Sequence, residues 1–134
     1  MIKFSIEKLS DELEKYDAIN FAYLFGSSQD GIINDGSDVD VAVHLNQKNS
    51  LKIMLNISNI IEDYFKNVYD EYIRSDISIL NTASSILGME AIQGKNLFYK
   101  EEKKEEYLDF YSYTCRQYED DIYWMEQQLK YRGY

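Results

Sequence analysis

An α/β (α+β) fold, a small mixed β-sheet with helices packed mainly on one face and a long helix at the C-terminus, is what the sequence predicts. Three observations carry it. Apolar runs of strand length alternate with segments of helical periodicity. Turn residues Asp30, Gly31, Asn34, Asp35 and Gly36 separate the first two runs. From about Glu102 onward the apolar positions step by threes and fours to the end of the chain. The 134 residues suit one domain, with a core over about 19–99 and a C-terminal helix over about 102–131.

The elements follow in order. Ile6, Leu9, Leu13 and Tyr16 recur at helical spacing after Ser5, a good N-cap. Ile19 to Phe25 reads as a buried strand, and between Ser27 and Gly31 there is room for a short helical turn. A second strand is expected from about Ser37 to Leu45. Ser50 then caps a helix through Leu51, Met54, Leu55, Ile57, Ile61, Tyr64, Phe65 and Val68, long enough to cover a sheet face. A third strand runs from about Tyr72 to Leu80. Thr82 through Gln93 reads as a helix, with Gly94 where a left-handed cap would sit, and Asn96 to Tyr99 as a short strand. In the tail, Leu108, Tyr111, Cys115, Tyr118, Ile122, Met125 and Leu129 form one helical seam, and with no proline in the chain the helix can run unbroken. The seam is expected to pack on its own domain, with Cys115 as small core filler. Tyr107, Tyr123 and Trp124, on neighbouring faces, are left to a partner.

Bulk composition narrows the function classes. Acidic residues number 24 against 14 basic, a net charge of −10, so the average field disfavours direct nucleic-acid binding and favours a basic partner. No apolar stretch approaches the ~20 residues a membrane span needs, and an acidic residue arrives too early for a signal peptide; the chain reads as cytoplasmic.

The chemistry is concentrated in two places. Gly26-Ser27 closes the first strand. After ten intervening residues comes Asp38-Val39-Asp40, at the head of Val41-Ala42-Val43. Side chains alternate across a strand, so Asp38 and Asp40 share a face, and Asp76 in the third strand can bring a third carboxylate alongside. Converging carboxylates repel, and an oxygen-only set of this kind suits Mg²⁺ or Mn²⁺. With cations present the arrangement suits phosphoryl or nucleotidyl transfer, with Asp76 as base. Gly26 lets the backbone approach a triphosphate, and Ser27 offers a hydroxyl and an amide to phosphate oxygens. Either piece alone is commonplace, a solvent-facing strand or an ordinary turn; their conjunction is what points to a site. His44 has no cysteine or second histidine near it for a zinc site and reads as a partly exposed, hydrogen-bonded ring.

These residues resemble the signature of the DNA polymerase beta-type nucleotidyltransferase superfamily, and in particular its minimal nucleotidyltransferase (MNT) branch, antitoxins encoded beside HEPN-domain ribonuclease toxins. Ser75-Asp76-Ile77-Ser78-Ile79-Leu80-Asn81-Thr82-Ala83, continuing to Gly94-Lys95-Asn96-Leu97-Phe98-Tyr99, is similar to that branch's third-aspartate strand and following helix. The resemblance implies a nucleotidyltransferase-like fold and an antitoxin that transfers AMP from ATP, with Mg²⁺, to a tyrosine of its HEPN toxin in a hetero-oligomer. Asp38, Asp40 and Asp76 would be catalytic and metal-binding, Gly26 and Ser27 nucleotide-binding. Members often read Gly-Ser-x-Ala-Arg-Gly; here Asp30 stands where the arginine is expected, with Arg74 and Lys95 as candidate substitutes. Two other readings stay open: an antitoxin that acts by binding alone, and an adenylyltransferase for a small molecule.

Overall fold

The computed structural model describes residues 1–133. In chain order the elements are β1 (Ile2–Lys3), α1 (Ile6–Glu14), β2 (Ile19–Phe25), a 3-10 turn (Gly26–Ser28), β3 (Ile32–Ile33) and β4 (Val39–Leu45). There follow α2 (Leu51–Tyr69), β5 (Ser75–Ile79), a second 3-10 turn (Leu80–Thr82), α3 (Ser85–Gln93) and β6 (Lys95–Tyr99). A third 3-10 turn (Glu101–Lys103) leads into α4 (Lys104–Tyr131).

Local chemistry sets the helix starts. Ser5, Ser50 and Ser84 each sit in extended backbone and accept a hydrogen bond from the amide three residues on, at Lys8, Ile53 and Leu87. The main sheet has the order β5-β4-β2-β6. β2 runs antiparallel to β4 and β6, while β4 and β5 are parallel, the crossover between them being α2.

Alternation along the strands sends Val39, Val41, Val43 and Leu45 to one face, with Ala22 and Leu24 from β2. There they meet Leu9 and Leu13 of α1 and Ile57, Ile61 and Phe65 of α2. This is the larger core. A smaller one on the opposite face joins Phe21, Tyr23 and Ala42 to Leu80 and Ala91, with Tyr99, Tyr107 and Phe110 packed against it. No helix among the described residues is long and apolar enough to cross a membrane.

Several expectations need correction. β1 and β3, a two-residue pair joined through Ile2↔Ile33, were not foreseen. The Asp-x-Asp strand begins at Val39, one residue after Asp38, and the third strand is confined to Ser75–Ile79. The helix expected from Thr82 opens only at Ser85, after a 3-10 turn. Gly94 is not left-handed: its φ is −78°, and the reason for glycine there is proximity, since a Cβ would stand 2.5 Å from the Leu24 carbonyl oxygen and 2.8 Å from Phe25 Cβ.

The largest correction concerns α4. The seam expected to pack inward is half exposed: Leu108, Tyr111, Met125 and Leu129 keep 47–54% of their surface. The helix docks instead by a stripe rotated from it, through Tyr107, Phe110, Thr114 and Asp121. Tyr107 stacks on Tyr99 at 4.7 Å, Phe110 lies 5.5 Å from Phe21, and Thr114 is buried with its methyl against Gly88. Ser85 Oγ donates to Asp121 Oδ2. Tyr107, which the sequence assigned to a partner, thus belongs to the core, whereas Tyr123 and Trp124 are exposed as expected.

Candidate functional site

The parallel register pairs Asp40 with Asp76 across β4 and β5. Ile73, Ile77 and Ile79 face the larger core, as do Val39, Val41 and Val43, so the intervening residues fall on the other face. That face carries Asp40, Ala42 and His44 along β4 and Asp76 and Ser78 along β5, with Asp38 and Arg74 immediately before the two strands. Burial first, then the charges of Asp76 and Asp38, push the Asp40 carboxyl above the usual carboxylate range. The three acids are therefore electrostatic neighbours.

Gly26 follows the last residue of β2 opposite this point, where Phe25 pairs with Asp40. Its φ of +74° is left-handed, and a Cβ there would strike Asp40 Oδ2. The glycine thus gives the carboxylate its room. Asp40, Asp76 and Gly26 line a cleft of about 520 Å³. Its remaining walls include Gln29, Ser78, Glu90 and Gln93, which sequence reasoning missed. The only signal for the last two was helical spacing on the segment after the Asp76 strand. Asp38 lies beside this cleft, lining an adjoining depression with Ser37 and Arg74. Ser27, on the 3-10 turn, is exposed and is not among the cleft's lining residues.

Among the described residues no three histidine, cysteine, aspartate or glutamate side chains close into a ready-made metal cage. The assembled part is the Asp40–Asp76 pair, with Asp38 on its flank. The donor set still fits a hard divalent ion: it offers carboxylate oxygen, it is open to solvent, and the rise at Asp40, caused by burial and then by the neighbouring Asp76 and Asp38, is one that a bound cation would offset. Asp30 has a local task, accepting the Ile32 amide at 3.2 Å. Of the two candidate cations, Arg74 shares the depression with Asp38, while Lys95 opens β6, at the opposite edge of the sheet from β5.

His44 is half-buried, stacked on Phe21 at 4.6 Å with an interplanar angle of 7°, and its Nδ1 is 3.1 Å from Asn20 Nδ2. Burial lowers its pKa, with Glu106 opposing and Lys103 assisting. A depressed folded-state pKa means that the unfolded chain takes up the proton first, so this group's contribution is intact above the ordinary value of 6.5 and is lost as pH falls below it. Thermal melts from pH 7.5 to 5 should show a decline that His44→Gln makes shallower.

The polymerase beta nucleotidyltransferase family model matches residues 7–104, which include every site residue just described. The chain belongs to this family. Comparison with curated protein sequences found no match. Among solved structures, this family member is similar to a chain of a toxin–antitoxin complex with AMP-PNP, at 19% identity and a TM-score of 0.68, over 95% of this chain and 97% of the other. It is also similar to a chain of the tri-AMPylated Shewanella oneidensis HEPN toxin in complex with MNT antitoxin, at 17% identity and a TM-score of 0.62, over 94% and 97%. A third is the MntA-HepT toxin–antitoxin, at 18% identity and a TM-score of 0.61, over 93% of each chain. At these identities the likeness establishes the fold.

Proposed function

We propose that this nucleotidyltransferase is the antitoxin of a two-protein module and transfers AMP from ATP, with Mg²⁺ or Mn²⁺, to a tyrosine of a HEPN-type toxin. The observation that carries the reading is the register pairing of Asp40 with Asp76 against the left-handed Gly26, within a family whose solved neighbours include an AMP-PNP complex and an AMPylated toxin.

Asp38, Asp40 and Asp76 would hold the metal, which when bound neutralises phosphate charge and makes an acceptor hydroxyl easier to ionise. Gly26 and Ser27 bind the triphosphate through the turn after β2. Asp76 takes the phenolic proton of the acceptor tyrosine. The phenolic oxygen bonds to the α-phosphorus, the bond from that phosphorus to the bridging oxygen breaks, and pyrophosphate leaves. Small-molecule acceptors rank below a protein one, because the solved neighbour that carries AMP carries it on a toxin protein.

Binding without transfer is the second reading, and Asp30 favours it, since an acid stands where the family often has an arginine. One assay separates the two. Incubated with α-labelled ATP, Mg²⁺ and the product of the adjacent gene, the chain should label that protein, and Asp38→Asn should not. Toxin neutralised equally well by Asp38→Asn, with no label transferred by either, would establish the binder.

A further inference from the structure

The half-exposed seam of α4 has a two-sided environment that says what should cover it. Leu108, Tyr111, Cys115, Tyr118, Ile122, Met125 and Leu129 keep a strict alternation of three and four, the narrow spacing of a coiled-coil interface. One flank consists of Tyr107, Thr114, Asp121 and Gln128, of which the first three are docked on the chain's own fold. The other flank is Glu105, Ser112, Glu119 and Glu126, all exposed. Beyond Asp121 the helix runs on to Tyr131 with Tyr123, Trp124, Met125 and Leu129 all more than half exposed. Large exposed apolar patches bordered by charge mark interaction surfaces.

We infer that this seam is a docking site for an amphipathic helix of another protein that carries lysine or arginine opposite Glu119 and Glu126. A second copy of this chain does not fit. In an antiparallel pair the glutamate flanks would face each other, and in a parallel pair each glutamate flank would meet a flank already occupied by its own fold. The net charge of −10 adds to that repulsion. The inference extends the antitoxin reading by naming the surface the toxin binds, and it rests on that reading only for the identity of the partner.

The test uses the full chain carrying Asp38→Asn, so that binding is read apart from transfer. The probes are the product of the adjacent gene and two synthetic helices of about three heptads with isoleucine and leucine at the seam, one lysine-flanked and one glutamate-flanked. Met125→Glu should weaken partner binding by about tenfold or more, and Glu119→Lys with Glu126→Lys by about fivefold, the latter effect shrinking at high salt. Unchanged far-UV spectra and melting temperatures would show that the fold is intact. The lysine-flanked helix should bind and the glutamate-flanked one should not, and light scattering should report a monomer.

Partner affinity unmoved by these variants overturns the inference and leaves the transferase reading standing. Should the partner neither bind this variant nor become labelled by the unsubstituted chain, the antitoxin reading falls, and the synthetic helices still decide the seam: equal behaviour of the two overturns it. A dimer abolished by Met125→Glu also overturns it, in favour of self-association.

Discussion

Asp40→Asn should reduce AMP transfer by about a thousandfold while leaving the fold at least as stable as before. The two effects have one cause. The Asp40 carboxyl is partly buried beside Asp76 and Asp38, so its charged form is disfavoured in the absence of a cation. Asparagine keeps the shape and removes the repulsion, so the melting temperature of the metal-free protein should hold or rise. It also removes an anionic metal ligand, and transition-state stabilisation by a metal amounts to several kcal/mol, each 1.36 kcal/mol being a factor of ten in rate. A raised folded-state pKa means that the folded protein holds the proton more tightly than the unfolded chain, so stability declines as pH rises through the titration of this carboxyl. Asp40→Asn should flatten that part of the profile. Melts with and without Mg²⁺ and single-turnover rates check both halves: a variant that loses stability and activity together would mean that Asp40 is chiefly structural.

Gly26→Ala should cost both fold and function. The left-handed backbone at +74° carries a penalty of about 1–2 kcal/mol for a residue with a Cβ, corresponding to a fall in melting temperature of roughly 4–8 °C for a domain of this size. The added methyl also meets Asp40 Oδ2, so either the carboxylate swings away or the turn after β2 opens. Transfer should drop by about a hundredfold or more, since misplacement by an ångström is enough for that. Gly36→Ala is the control: Gly36 is also left-handed, at +75°, but has open space around it. It should lose comparable stability and keep its activity. Equal activity losses in the two variants would dissociate Gly26 from the site.

Most of the sheet was legible in the chain because β2 is a nearly continuous apolar run buried on both faces, β4 alternates Val39, Val41, Val43 and Leu45 with Asp40 and His44, and turn residues punctuate them. The neighbouring placement of Asp40 and Asp76 was legible for the same reason: both occupy the off-core parity of strands whose valines and isoleucines must face α2. β1 and β3 were not, because a pair of two-residue strands has no periodicity of its own and forms only where tertiary structure brings Ile2 to Ile33. The docking face of α4 was hidden by composition. Thr114, Gln117 and Asp121 are polar and pack through a methyl contact and hydrogen bonds, so an apolar periodicity selects the neighbouring stripe, which is only partly covered within the chain. Gly94 shows the same limit: its position after a helix suggested a cap, whereas its cause is a strand backbone distant in sequence. Glu90 and Gln93 reach the cleft only because α3 packs against β2.

On the proposed function, Asp38, Asp40 and Asp76 together hold the ion that serves nucleotide transfer. Anomalous diffraction from crystals grown with Mn²⁺ and AMP-PNP tests it directly. At least one Mn²⁺ peak is expected, coordinated by carboxylate oxygens of Asp38 and Asp40, with Asp76 within reach of the same ion or of a second one beside it, and with the triphosphate against Gly26. A nucleotide bound elsewhere, or an ion that leaves Asp76 without a role, would contradict it.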